Sequence, residues 1–401
     1  VNRKFLTVAL AGLTAALFSG ATLAQKKYDS GVTDKEILIG NIMPYSGPAS
    51  AYGAIGKSMD AYFKKINAEG GVNGRMIKFV SLDDGYNPAK TVEQARKLVE
   101  EDEVFALVGV LGTPPNSAIH KYMNQKKVPQ LFSATGATKW SDPKNFPWTM
   151  GWQPNYQGEA KIYAQHILET KPNGKIAILY QNDDYGKDYL KGMQDGLGDK
   201  YKTMVVKQIS YEVTDPTIDS QMVELKSSGA DIFFNVTTPK FAAQAIKKAA
   251  EMGWKPTHYL NSVSNSAGAV MNTAGADNGI GILSVYYLKD PTDAQWQSSP
   301  EYKEWLTFMQ KYCPSCDLKD NLNVFGYSTA QTFIQVLKQC GDNLTRENLM
   351  KQAASLDMTL PMLLPGVNVK TGPDDFSPIE REQIITWNGK TWLLSGKTLG
   401  R

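Results

Sequence analysis

Four groups of residues in this 401-residue chain are of types that do chemistry. They are the adjacent acids Asp83-Asp84 and Asp183-Asp184, the three histidines His120, His166 and His258, and Cys313-Pro314-Ser315-Cys316. Paired carboxylates suit general acid–base work or a metal ion, a histidine suits proton transfer, and Cys-x-x-Cys suits redox or zinc chemistry. None completes a catalytic set. The histidines sit in three different elements, and there is no G-x-S-x-G elbow, H-E-x-x-H or P-loop. Adjacent acids at strand ends are commoner as caps and turn formers. No second Cys pair or His pair completes a zinc site. The cysteine motif also does not open a helix after a strand, so it reads as a local disulfide in an oxidising compartment or as two plain thiols. Cys340, inside a helical pattern, reads as a small buried apolar residue. The residues imply no enzyme, no metal and no cofactor.

The elements that would position a binding site are clearest from Glu36 to Gly74. Glu36-Ile37-Leu38-Ile39-Gly40-Asn41-Ile42-Met43 reads as a buried strand. Pro44-Tyr45-Ser46-Gly47-Pro48 breaks it. Tyr52, Ile55, Met59, Tyr62, Phe63 and Ile66 then recur at helical spacing, and Met76–Val80 reads as a second strand. Strand, loop, helix, strand is a βαβ unit of a parallel sheet with a right-handed crossover. Ligands in such sheets sit beyond the carboxyl ends of the strands, so the loop Tyr45–Tyr52 is the first candidate wall.

The alternation continues to Thr138. Asn87-Pro88 is a cap and first helical residue. Val104–Val108 and Val128–Phe132 read as strands, followed by the loops 109–117 and 133–138. Prolines at 143, 147 and 154 interrupt the rhythm between Trp140 and Tyr156, which marks a crossing between two lobes. Strands then restart at Lys175–Tyr180, Val205–Ile209 and Asp231–Val236, with His258–Asn261 and a return strand Gly281–Tyr286. Helices at about 299–312, 323–339 and 346–354 precede a hairpin around Asn388-Gly389. The expected fold class is α/β: two doubly wound parallel-sheet lobes, with a hinge and a ligand cleft between them.

Hydrophobic residues make up 42% and charged residues 21%, which suffices for a core and excludes disorder. The formal charge is +3; without residues 1–24 it is +1, so no basic footprint for nucleic acid remains. Asn2-Arg3-Lys4, the apolar run Phe5–Phe18 and Ala21-Thr22-Leu23-Ala24 read as a signal peptide, 1–24, cleaved on export to the periplasm. The run is too short to span a membrane comfortably. No Cys near the cut offers a lipid anchor.

Ser46-Gly47-Pro48-Ala49 with Tyr52-Gly53, Gly70-Gly71-Val72-Asn73-Gly74-Arg75, Asp83-Asp84, Asp184-Tyr185-Gly186 and Ala249-Ala250-Glu251-Met252-Gly253 occur in an order and spacing that resemble one family. It is the periplasmic solute-binding proteins of the branched-chain amino acid type, with the type I periplasmic-binding fold. The resemblance covers the chain after residue 27. It implies a three-segment hinge near Gly151, Tyr286 and Pro365. The lobes would then be 27–150 with 287–365, and 151–286 with 366–401. It also implies a monomer that delivers its ligand to a membrane permease driven by a separate ATPase.

The resemblance implies site residues position by position. Tyr52 covers the ligand, and Tyr185 closes over it from the second lobe. Gly112 and Thr113, and the loop of Ser133, Ala134, Thr135 and Gly136, meet a carboxylate through a hydroxyl and backbone N–H groups at a helix start. Hydroxyls that cap their own helix are the alternative. Tyr45, Ser46, Tyr156, Asn261 and Tyr286 also fall near the cleft. Relatives that bind leucine-like ligands hold the ammonium with a Tyr and a Glu, and those positions align with Thr237 and Val263. A desolvated ammonium needs a counter-charge, which argues against an α-amino acid. The expected ligand is a small carboxylate, an aromatic acid of benzoate or hydroxycinnamate type. The alternatives are a branched-chain amino acid, an aliphatic acid or amide, or a ligand-sensing receptor module.

Overall fold

Strand and helix alternate from Glu36 onward, and the alternation builds two sheets. The structure, a computed structural model, describes residues 26–400. The segment read as a signal peptide lies outside the described residues. In the first sheet five strands run in the order Met76–Asp83, Glu36–Met43, Ala106–Val108, Gln130–Ser133 and Thr149–Gly151, all parallel. Glu36–Met43 pairs with Met76–Asp83 in unbroken register from Glu36↔Met76 to Met43↔Asp83. It is covered on both faces, which is why Ile37, Ile39, Ile42 and Met43 form an apolar run rather than an alternation.

The second sheet orders Trp392–Gly400, Arg381–Trp387, Leu283–Tyr286, Thr257–Leu260, Ile232–Val236, Ile176–Gln181 and Val205–Tyr211. It is parallel except at one edge. There the closing hairpin joins antiparallel, with Asn388 at its turn. The chain passes between the sheets after Gly151, after Tyr286 and before Arg381. Two of these connections run side by side: Leu288 pairs with Leu363, and Leu364 N donates to Tyr287 O at 2.9 Å.

Between the second and third passages, helices pack back on the first sheet's layer. Helix Gly53–Ala68 buries Ile55, Met59, Tyr62, Phe63 and Ile66, the face its sequence spacing assigns to the core. Its partner is helix Asn321–Cys340. Tyr62 meets Tyr327 edge to face at 5.2 Å, and Ser58 Oγ donates to Asn323 O at 2.7 Å. Gly326 makes the close approach possible, since a Cβ there would run into the Ile55 carbonyl. Each large apolar side chain buried here contributes roughly 1.5–3 kcal/mol.

Several elements differ from the sequence reading. Strand Thr149–Gly151 lies inside the segment read as an interruption, and helix Tyr156–Thr170 begins at its end. The prolines bracket these elements instead of preventing them: Asn155, directly after Pro154, caps the helix by accepting from Gly158 N at 2.7 Å. The pair Lys27–Tyr28 with Asn343–Leu344 is too short to carry a periodic signal. Asn87 caps its helix as expected. Cys313 and Cys316 are joined by a disulfide, the first of the two readings, and Cys340 is free and buried.

His258 lies buried in the second sheet, 3.2 Å from Asn235 Nδ2 and packed on Phe233. Burial pushes its pKa down from 6.5 to about 3. Between those values the unfolded chain binds more protons than the folded one. The neutral ring's contribution is therefore present above pH 6.5 and is lost as pH falls. Moving from pH 7 to pH 5 should cost about 2 kcal/mol through this residue. His258→Gln should remove that share of the loss, measured as urea midpoints at the two pH values. An equal loss in both proteins would reject the assignment.

Candidate ligand cavity

Loops at the carboxyl ends of strands from both sheets converge on one cavity. The first sheet's side contributes Tyr52, Tyr86, Gly112, Thr113 and Ala134. The second contributes Tyr185, Thr238, Ser262 and Val263. The connections and the returning helix add Gln153, Tyr156, Tyr286, Tyr287, Asn321 and Phe325, with Ile55 and three leucines completing the apolar surface. No Asp, Glu, Lys, Arg or His is among the lining residues.

Thr113 offers donors to an anion at one point in the wall. Gly112 precedes helix Thr113–Lys126, and Pro114 and Pro115 occupy the helix's second and third positions. Proline has no N–H, so Thr113 carries the one backbone donor of those three positions. Its hydroxyl is 2.6 Å from Thr135 Oγ1. Thr135 Oγ1 already accepts from Ala137 N at 3.3 Å and Trp140 Nε1 at 3.2 Å. With both lone pairs occupied, Thr135 must give its own proton to Thr113, which frees the Thr113 proton. Thr113 thus presents an N–H and an O–H at the positive end of a 14-residue helix. Asn116 fixes this turn by donating to Val110 O and Gly112 O, each at 2.8 Å.

Six tyrosines line the cavity, and burial raises the pKa of every one, so all are neutral phenols. Tyr52 reaches across the cavity and donates to Val263 O at 3.1 Å. Tyr86 has φ +63, a left-handed backbone unusual for a bulky residue, held by Asp84, which accepts from Tyr86 N at 2.9 Å. Its hydroxyl accepts a long contact from Gln181 Nε2 at 3.5 Å, and its own proton stays available.

The nearby carboxylates are engaged elsewhere. Glu159 is buried behind Ser262 and accepts from Ser262 N and Oγ, Tyr163 and Tyr189 at 2.6–2.9 Å. Burial raises its pKa, and the Ser262 and tyrosine hydrogen bonds oppose that rise. Asp183 accepts from Tyr185 N, Gly186 N and Gln181 Nε2. Asp290 accepts from the Tyr286 hydroxyl at 2.8 Å.

Of the residues expected at the site, Tyr52, Gly112, Thr113, Ala134, Tyr156, Tyr185 and Tyr286 line the cavity. The other seven do not. Tyr45 turns away and hydrogen-bonds Ser81 at 2.6 Å, and Ser46 is held by Asp83 at 2.5 Å. Ser133 is buried in its strand, and Thr135 and Gly136 line a separate crevice with Trp140 and Phe376. Thr237 is buried against Asn235, and its neighbour Thr238 takes the wall position. Asn261 stands behind Tyr185: with its nitrogen donating to the Asn235 and Thr237 carbonyls, its oxygen accepts from the Tyr185 hydroxyl at 2.5 Å. Three of the backbone donors of loop 133–137 are engaged: Ala134 N bonds Val110 O, Thr135 N bonds Ser133 O and Ala137 N bonds Thr135 Oγ1.

Sequence reasoning missed Tyr86, Ser262, Tyr287, Asn321 and Phe325. Tyr86 was open to inference, because Asp83-Asp84-Gly85 places it just past a strand's carboxyl end.

A sequence profile of the periplasmic binding protein family matches residues 36–391. The chain belongs to that family. A Leu/Ile/Val-binding protein homolog 1 of Brucella abortus (strain 2308) is 26% identical over 279 residues, which are 65% of this chain and 72% of the relative. A branched-chain amino acid ABC transporter structure from Thermus thermophilus with bound valine superposes with TM-score 0.82 at 15% identity, covering 92% of this chain and 98% of the other. An R. palustris ABC-transporter solute-binding protein in complex with 4-hydroxybenzoate gives TM-score 0.76 at 21% identity, covering 91% and 97%. Family and fold are those of solute-binding proteins, not of enzymes.

Gly112 has φ +92 and ψ 145, a region reserved for glycine, and a Cβ there would run into the Tyr86 ring. Gly112→Ala should destabilise the protein by about 1–3 kcal/mol in a urea titration. An unchanged midpoint would contradict this geometry.

Proposed function

We propose that the protein is the periplasmic solute-binding component of an ABC importer and acts as a monomer. It hands its ligand to a membrane permease powered by a separate ATPase. The ligand is a small aromatic carboxylate of the benzoate or hydroxycinnamate type. Neither nucleic acid nor cofactor takes part.

One observation carries the reading: the lining is uncharged, while Thr113 presents two donors at a helix start. A carboxylate is stabilised there by hydrogen bonds and the helix dipole. An ammonium would be desolvated without a counter-charge, because Glu159 and Asp183 already hold other donors. Tyrosine rings and apolar side chains suit a flat ring through stacking and edge contacts. The second reading, a branched-chain amino acid, draws on the names of the relatives, and the neutral lining opposes it.

The test is thermal denaturation with benzoate, 4-hydroxybenzoate, 4-hydroxycinnamate, leucine and valine at equal concentrations. The aromatic acids should raise the melting temperature, by the equivalent of about 2.7 kcal/mol at a hundredfold excess over Kd. Stabilisation by leucine or valine alone would reject the proposal. Thr113→Val should weaken the best aromatic acid roughly tenfold, and because it also strands the buried Thr135 proton it should lower the unliganded melting temperature by a few degrees.

A further inference from the structure

Asn321 is the first residue of helix Asn321–Cys340 and lines the cavity. It is more than nine-tenths buried. Its amide nitrogen donates to Asn265 Oδ1 and to the Tyr286 hydroxyl, both at 3.0 Å. Its amide oxygen has no partner among the described residues. The orientation is fixed by the network around it. Asn265 Nδ2 donates to Val285 O at 3.0 Å, and a carbonyl can only accept. Asn265 Oδ1 therefore faces outward and requires a donor, which must be the Asn321 nitrogen. Tyr286 in turn donates to Asp290, so its oxygen also requires a donor. Both needs are met by the same NH₂ group, and Oδ1 is left over. A buried amide oxygen without a donor costs roughly 1–3 kcal/mol, and a donor on a molecule bound in the adjoining cavity would relieve that cost.

We infer that Asn321 Oδ1 is the acceptor for a hydrogen-bond donor carried on the ligand's ring, so that the preferred substrates are hydroxylated aromatic acids. The inference rests on the aromatic-acid reading above and narrows it. The two ends of the ligand are told apart by charge. Thr113 offers donors at a helix start, whereas Asn321 adjoins Asp320 and is linked through Tyr286 to Asp290. A carboxylate is repelled from the Asn321 wall and held at the Thr113 wall, so the ring's donor falls to Asn321. Sites built to receive a hydroxyl discriminate strongly against an analogue without one, because the site's own polar atom is then stranded.

The experiment is calorimetric titration of the full protein with benzoate, 3-hydroxybenzoate, 4-hydroxybenzoate and 4-fluorobenzoate, where fluorine fills space without donating. At least one hydroxybenzoate should bind roughly tenfold or more tightly than both benzoate and 4-fluorobenzoate. Asn321→Leu should level that preference. If this variant fails to fold, the ligand series on the unmodified protein decides alone. Equal binding of all four acids would overturn the inference and leave the aromatic-acid reading standing. No binding by any of them would overturn both.

Discussion

The cavity's neutrality is the constraint on which the rest depends. It is not achieved by keeping acids away, since Glu159, Asp183 and Asp290 all lie just behind the lining. Each is engaged by donors that belong to the wall itself. Glu159 fastens Ser262 and two tyrosines, Asp183 caps the helix that carries Tyr185, and Asp290 anchors Tyr286. A buried carboxylate is tolerated only when hydrogen-bonded. Here the donors that satisfy the acids are the groups that shape the site. The acids therefore hold the walls in place without standing in the lining.

The same economy of donors operates on the first sheet's side. Two prolines strip N–H groups from the start of helix Thr113–Lys126, and in the neighbouring loop Ala134 N and Thr135 N are spent on the Val110 and Ser133 carbonyls. At this helix start stands Thr113, whose hydroxyl is aimed by Thr135. Buried amides hold the supporting turns: Asn41 clamps Val108 O and Gly109 O, and Asn116 clamps Val110 O and Gly112 O. Tyr52 bridges to Val263, so the wall that covers the cavity is tied directly to the opposite side.

Much of the fold was legible because its signals are local and periodic. The face of helix Gly53–Ala68, the cap at Asn87 and the turn at Asn388 each depend on a few neighbouring residues. Helix Tyr156–Thr170 was legible too, through Tyr156, Ala160, Tyr163 and Ile167, but the prolines before it drew attention to a break. The site was half legible. Residues just past strand ends could be placed at the cavity, whereas the direction of a side chain could not. Thr237 and Thr238 differ by one position, and only the second faces the ligand space. Asn261 supports Tyr185 from behind, which no spacing reveals. Asn321 reaches the cavity only because the chain returns to the first sheet after its second passage, a consequence of topology and not of local pattern.

The central claim is that this cavity accepts a carboxylate and refuses an ammonium. Matched pairs that differ by that one group test it most directly: tyrosine against 3-(4-hydroxyphenyl)propanoate, and leucine against 4-methylpentanoate, titrated calorimetrically under one set of conditions. The account predicts that in each pair the acid without the amino group binds more tightly. Binding of either amino acid as tightly as its deaminated partner, or more so, would contradict it.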